Sequence, residues 1–153
     1  MISNSKLKQD LYALCVLFVE NRYKTIQKTI NEIQESLTSE TKSSAGDKHE
    51  TGRAMLQLER EKAGNQLAEI QKIKEQLSKI NTSNTSKCVG LGSIVFTNQN
   101  NYFIAVSVGE LKVENQLFYA ISPNTPIGTL LMGKAIGDVV AFRQQKFTIT
   151  SVL

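Results

Sequence analysis

Two carboxylates one helical turn apart, Asp47 and Glu50, are the residues of this 153-residue chain whose type and spacing best suit chemistry. They stand in Gly46-Asp47-Lys48-His49-Glu50, between two long helix-forming runs. Two hard oxygen donors cannot fill an octahedral Mg2+ shell, so alone they would hold an ion only weakly. Lent to a metal site in a partner, the pair could complete that site and help orient water for phosphodiester cleavage. The same residues also have a purely structural explanation. Asp47 can cap a helix that starts there, Glu50 can close the capping box, and both acids favour the positive end of the helix dipole. The sequence alone leaves both explanations open.

Other catalytic apparatus is absent from the sequence. His49 is the single histidine and has no cysteine beside it. Cys15 falls in an apolar run and reads as packing, while Cys88 reads as an incidental thiol. The two are far apart, with no second ligand cluster, which argues against a disulfide framework or a zinc site. Gly90-Leu91-Gly92 lacks the third glycine of a dinucleotide loop. The expectation is a protein that is not an enzyme by itself and binds no cofactor tightly.

The elements that must position the acids follow from periodicity. Apolar residues recur at Leu7, Leu11, Leu14, Phe18, then Ile26, Ile30, Ile33 and Leu37, with a slip of phase near Arg22. A second stripe runs Leu56, Ala63, Leu67, Ile70, Ile73, Leu77 and Ile80. Each stripe is narrow and suits a helix packed on one partner. The short polar connection between them predicts an antiparallel helical hairpin over residues 1–80, with its acidic tip near 43–50. Arms of about 30 residues would reach roughly 45 Å.

Asn81-Thr-Ser-Asn-Thr-Ser86 has no apolar residue and predicts a linker over 81–88. From residue 89 the period changes to two. Ser93–Thr97, Tyr102–Val108 and Leu117–Ile121 read as strands, Pro126–Met132 as a short helix, and Val139–Phe142 with Phe147–Val152 as a closing hairpin. The fold class is therefore α+β: a helical hairpin plus a small antiparallel sheet domain with one helix over 89–153.

Charge supports that division. Residues 1–88 hold 14 Lys/Arg and 11 Asp/Glu, and residues 89–153 hold 4 and 3. The signs are interspersed, which describes solvated helix faces rather than a nucleic-acid stripe. No apolar run reaches the ~20 residues needed to span a bilayer. The N-terminus has no apolar signal core, so a cytoplasmic protein is expected.

With these residues in view, the chain resembles the Gre transcript cleavage factors of bacterial RNA polymerase over nearly its whole length. Their tip typically reads Gly-Asp-x-x-Glu-Asn-x-x-Tyr, and Gly46, Asp47 and Glu50 match it. Their C-terminal pattern looks like Ile-Ser-x-x-Ser-Pro-Ile-x-x-x-Leu-x-Gly-Lys-x-x-Gly-Asp-x-Val. Ile121-Ser122, Thr125-Pro126-Ile127, Leu131, Gly133-Lys134, Gly137-Asp138 and Val140 follow it.

The resemblance implies an FKBP-like C-terminal domain and a hairpin that enters the secondary channel of a backtracked polymerase. Asp47 and Glu50 would help hold a Mg2+ shared with the polymerase, whose own active site would cut the RNA 3′ end. Ser122, Thr125, Pro126 and Ile127 would contact the channel rim, although Thr125-Pro126 also suits an ordinary turn introducing a helix. RNA and DNA would be met through the elongation complex, with no membrane partner and a monomeric protein. The tip departs from the family at Thr51, Arg53 and Ala54, where Asn, often an acid, and Tyr are usual. That leaves a channel-binding regulator without cleavage stimulation as an alternative. Another class, an FKBP-like prolyl isomerase or chaperone, is disfavoured by the absence of Trp, and a coiled-coil adaptor would leave the acids as caps alone.

Overall fold

The computed structural model describes the backbone of residues 4–42 and 47–153, and side chains for residues 4–39 and 51–153. Its elements are α1 (Asn4–Lys42), α2 (Asp47–Ser78), β1 (Ile94–Thr97), β2 (Asn101–Ile104), β3 (Gly109–Val113), β4 (Gln116–Ile121), α3 (Pro126–Leu131), β5 (Val139–Phe142) and β6 (Gln145–Val152). The chain divides into two compact units, Val19–Lys74 in one, and Met1–Phe18 with Glu75–Leu153 in the other.

The first unit is the helical pair. Ile26, Ile30, Ile33 and Leu37 of α1 are buried at alternating spacings of four and three, and Ala63 and Ile70 of α2 are buried seven apart. That is the seam of two packed helices. Two cross-links fix the direction. Lys74 Nζ lies 3.0 Å from Glu20 Oε1, and Arg53 Nη1 donates to the Leu37 carbonyl at 3.3 Å. Rising from 20 to 37 on one helix matches falling from 74 to 53 on the other, so the helices are antiparallel. Lys74 also sits 4.3 Å from the centre of the Tyr23 ring, a cation–π contact added to the ion pair.

The lower part of α1 departs from the expected stripe. The buried residues are Leu7, Leu11, Cys15 and Val19, whereas Leu14 is half-buried and Phe18 is 39% exposed. Spacings of four advance the buried face by about 40° each at about 100° per residue. The face has therefore turned by about 120° when it reaches Val19. The phase change is spread over these turns instead of falling near Arg22.

In the second unit the sheet has six strands in the order β3-β4-β2-β1-β6-β5. It is mixed, which corrects the antiparallel expectation: β2 and β4 run parallel, with Tyr102 opposite Tyr119 and Ile104 opposite Ile121. The cause is β3, a strand not anticipated from the sequence. It pairs antiparallel with β4, so the chain reverses twice between β2 and β4 instead of once. Tyr102–Val108 is also not one strand. β2 stops at Ile104, and residues 105–108 turn while the Ala105 N–H donates to the Ile121 carbonyl and the Val108 N–H to the Ala120 carbonyl.

Val95, Tyr102, Ile104, Leu131, Val140, Phe147 and Ile149 form the core beneath α3. Strand alternation puts Ile94 and Phe103 on the other face, and both are fully buried. Near the start of α1, Lys8 is 3% exposed and its Nζ donates to the Asn84 carbonyl at 2.6 Å. This ties the polar segment 81–88 to the helix.

Candidate functional site

The hairpin tip and the Ser122–Ile127 loop are the two places to which the sequence points. At the tip, α2 begins at Asp47, so Asp47 and Glu50 fall in the first turn of that helix. Their side chains lie outside the described residues, as does His49. Immediately after them Thr51 and Ala54 are exposed, while Arg53 is half-buried and reaches across to α1. The positive charge beside the acids is thus engaged with the Leu37 carbonyl, a tie between the two helices.

The Ser122–Ile127 loop is described in full. Thr125 occupies the N-cap of α3 with extended backbone (φ −70, ψ 158), and Pro126 opens the helix. The Thr125 hydroxyl donates to the Ser122 carbonyl at 2.7 Å and accepts from the Gly128 N–H at 3.1 Å. Ser122 Oγ accepts from the Asn124 N–H at 3.2 Å, and the Ser122 N–H donates to Ser107 Oγ at 3.0 Å. This is a tightly tied turn. Gly128 is packed into it: a Cβ there would meet the Ser122 carbonyl oxygen and lie 2.7 Å from Thr125 Oγ1.

The four residues of the proposed contact are therefore brought together but do different things. Thr125 and Ser122 hold the turn. Ile127 packs on the core beneath α3. Pro126 is exposed, and so is Asn124, which sequence reading passed over because it occupies an unspecified position of the family pattern. Pro126 and Asn124 are the outward face of the loop. Beside it, Ser122, Pro123 and Asn124 border a cavity of about 110 Å3 together with Gln76, Lys79, Leu91 and Ala105.

The rest of the C-terminal pattern also has backbone duties. Gly133 (φ +79) and Gly137 (φ +91) take left-handed conformations, which a side chain rarely adopts. Gly133 N–H donates to the Val89 carbonyl and Val89 N–H to the Lys134 carbonyl, both at 2.8 Å. Asp138 Oδ2 accepts from the Ala135 N–H at 2.8 Å. The motif reads as one connected turn system joining α3 to β5.

Among the described residues, no group of three or more His, Cys, Asp or Glu is placed to hold a metal ion, and no helix is long and apolar enough to cross a membrane. No family model matches the sequence, and no curated protein matches it. Among solved structures, one described as "Structure of the transcription factor Gfh1" aligns over 92% of this chain and 92% of its own, at 17% identity and a TM-score of 0.34. An overlap that loose carries no argument about fold or activity, so the functional reading rests on the residues above.

Proposed function

We propose that this protein is a Gre-like factor that binds bacterial RNA polymerase and stimulates the polymerase's own cleavage of backtracked RNA. The observation that carries the reading is the turn system from Ser122 to Asp138. Several residues that follow the family pattern there have specific jobs: a cap at Thr125, a helix start at Pro126, left-handed turns at Gly133 and Gly137, and a side-chain tie at Asp138. The antiparallel helices, with α2 starting at Asp47, support it as well.

In this reading the hairpin carries Asp47 and Glu50 into the secondary channel. The donor set fits a shared site: two carboxylates one turn apart supply part of a hard oxygen shell, and the polymerase supplies the rest. A Mg2+ held between the two proteins would polarise water for attack on the RNA phosphodiester. What this chain does is present the two carboxylates, hold them at the end of a stiff pair of helices, and dock through the Asn124–Pro126 face. The FKBP-like description of the C-terminal domain, contact with DNA through the elongation complex, a monomeric state and a cytoplasmic location belong to the same proposal.

Arg53 favours a second reading, a channel-binding regulator that does not stimulate cleavage, because it places a cation three residues from Glu50. Docking is tested by binding to stalled elongation complexes. The protein should bind, and Asn124→Ala with Pro126→Ala should weaken it by about tenfold or more, as for loss of a central contact. Absence of binding to polymerase would overturn both readings.

A further inference from the structure

A second candidate site lies in the C-terminal domain and shares Ile127 with the Ser122–Ile127 loop. Tyr102, Phe142, Phe147 and Ile127 line a cavity of about 260 Å3, whose remaining walls are Gln99, Asn100, Arg143 and Gln145. Two rings meet at its floor: Tyr102 stands 6.2 Å from Phe147, centre to centre. Tyr102 and Phe147 are buried, while Phe142 is half-buried and offers ring surface. The Arg143 guanidinium lies 5.0 Å from the centre of the Phe142 ring.

The charge at the cavity is one-sided. Among the described residues no carboxylate lines it and Arg143 is its only charged wall, and Lys146 follows on the same hairpin. Among the described residues, no acid lies within ion-pair distance of Arg143. The turn that carries it is costly: Arg143 and Gln144 both have positive φ, 51 and 66. Two-residue hairpin turns of this type usually take Asn or Gly there, and Glu114–Asn115 has the same backbone in the β3–β4 hairpin.

We infer that this cavity binds one nucleotide, its base against Phe142 over the Tyr102–Phe147 floor and its phosphate on Arg143. Each part of the lining has a counterpart in that ligand. A flat π-face stacks on an aromatic floor whatever the base. A guanidinium binds phosphate oxygens through a charge-assisted pair. The side-chain amides of Asn100, Gln99 and Gln145 supply both donors and acceptors for a base edge. A cationic ligand finds nothing here to neutralise it. An uncharged proline-containing peptide would use the rings but not the charge of Arg143. This inference stands whether or not the chain binds polymerase.

The test is titration of the full chain, followed by amide NMR, with each nucleoside monophosphate, with ribose 5-phosphate, and with a five-nucleotide single-stranded RNA. The expected result is a set of shifts confined to Gln99–Tyr102, Ile127 and Phe142–Phe147 with nucleotide, and far weaker binding of ribose phosphate. Arg143→Gln should weaken binding by about tenfold, the loss of one charge-assisted contact. Phe142→Leu, which keeps apolar volume under the turn, should weaken it too and bring base and baseless ligands closer together. Tighter binding of the RNA than of any monophosphate would assign the nucleotide to a chain, and equal binding would assign it to a free ligand. No shifts at millimolar nucleotide, shifts elsewhere, or equal binding by the folded Arg143→Gln protein would overturn the inference. Preferential binding of a proline-containing peptide to these residues would do the same.

Discussion

Lys8 donates through Nζ to the backbone carbonyl of Asn84 at 2.6 Å, and only 3% of the lysine is exposed. A strongly hydrated ammonium is thus drawn out of water to hold a segment with no apolar residue of its own. Burial lowers the Lys8 pKa from its ordinary 10.5. The hydrogen bond offsets part of that cost by fixing the chain between helix and sheet domain.

Replacing the ammonium while keeping the stem therefore has a local signature. Lys8→Met should change global stability by only about 1 kcal/mol, because Asn84 is exposed and its carbonyl can turn to water. Hydrogen exchange between residues 82 and 88 should nevertheless quicken clearly. Unchanged exchange there would show that the contact does not order the segment.

The two thiols should separate cleanly. Cys15 is fully buried and its pKa is pushed up to about 12 by that burial, whereas Cys88 is exposed. An aromatic disulfide reagent at neutral pH should label one thiol quickly, and Cys88→Ser should abolish that phase. Labelling of Cys15 should wait for unfolding.

Alkali should reveal both buried groups with opposite signs. Above pH 9 the unfolded chain loses the Cys15 proton while the folded chain keeps it, so stability falls as pH rises toward 12. The slope for one such proton is at most about 1.4 kcal/mol per pH unit. Lys8 acts the other way: below 10.5 the unfolded chain holds a proton that the folded chain gives up more easily, so its contribution rises with pH. Denaturant titrations should show a flatter alkaline fall for Cys15→Ala and a steeper one for Lys8→Met.

Gly128 is the position where the Ser122–Thr125 turn tolerates least. An added methyl would press on the Ser122 carbonyl oxygen and the Thr125 hydroxyl, and the backbone cannot give way without breaking the cap. Gly128→Ala should cost about 2–3 kcal/mol, in the range of overpacked sites. Thr125→Val, which removes the capping oxygen, should cost about 1 kcal/mol. Equal stability of Gly128→Ala and wild type in urea would contradict the packing described for this turn.

The sequence made the hairpin legible because seven-residue spacing such as Ala63–Ile70 repeats over many turns. It misled where one element serves two neighbours. Leu14 and Phe18 continue the line of Leu7 and Leu11, yet the structure buries Cys15 and Val19, since the covered face rotates along α1. β3 escaped notice because Gly109-Glu-Leu-Lys-Val buries only Leu111 and Val113, a signal too short to stand out. In Tyr102–Val108 an unbroken apolar run reflected burial from Phe103 to Val106, and the strand ends at Ile104. At the candidate site, Thr125 and Pro126 were readable as cap and helix start. The exposure of Asn124 and the gathering of Tyr102, Phe142 and Phe147 around Arg143 were not, because they depend on which strands become neighbours.

In the proposed function Asp47 and Glu50 serve a metal site completed by the polymerase. The most direct test of that role is RNA cleavage in stalled, backtracked elongation complexes, with wild type, Asp47→Asn and Glu50→Gln compared at saturating factor. Wild type should stimulate cleavage, and each variant should lose that stimulation by about a hundredfold or more while binding to the complex persists. Binding by wild type with no stimulation, or stimulation unchanged in both variants, would contradict that role.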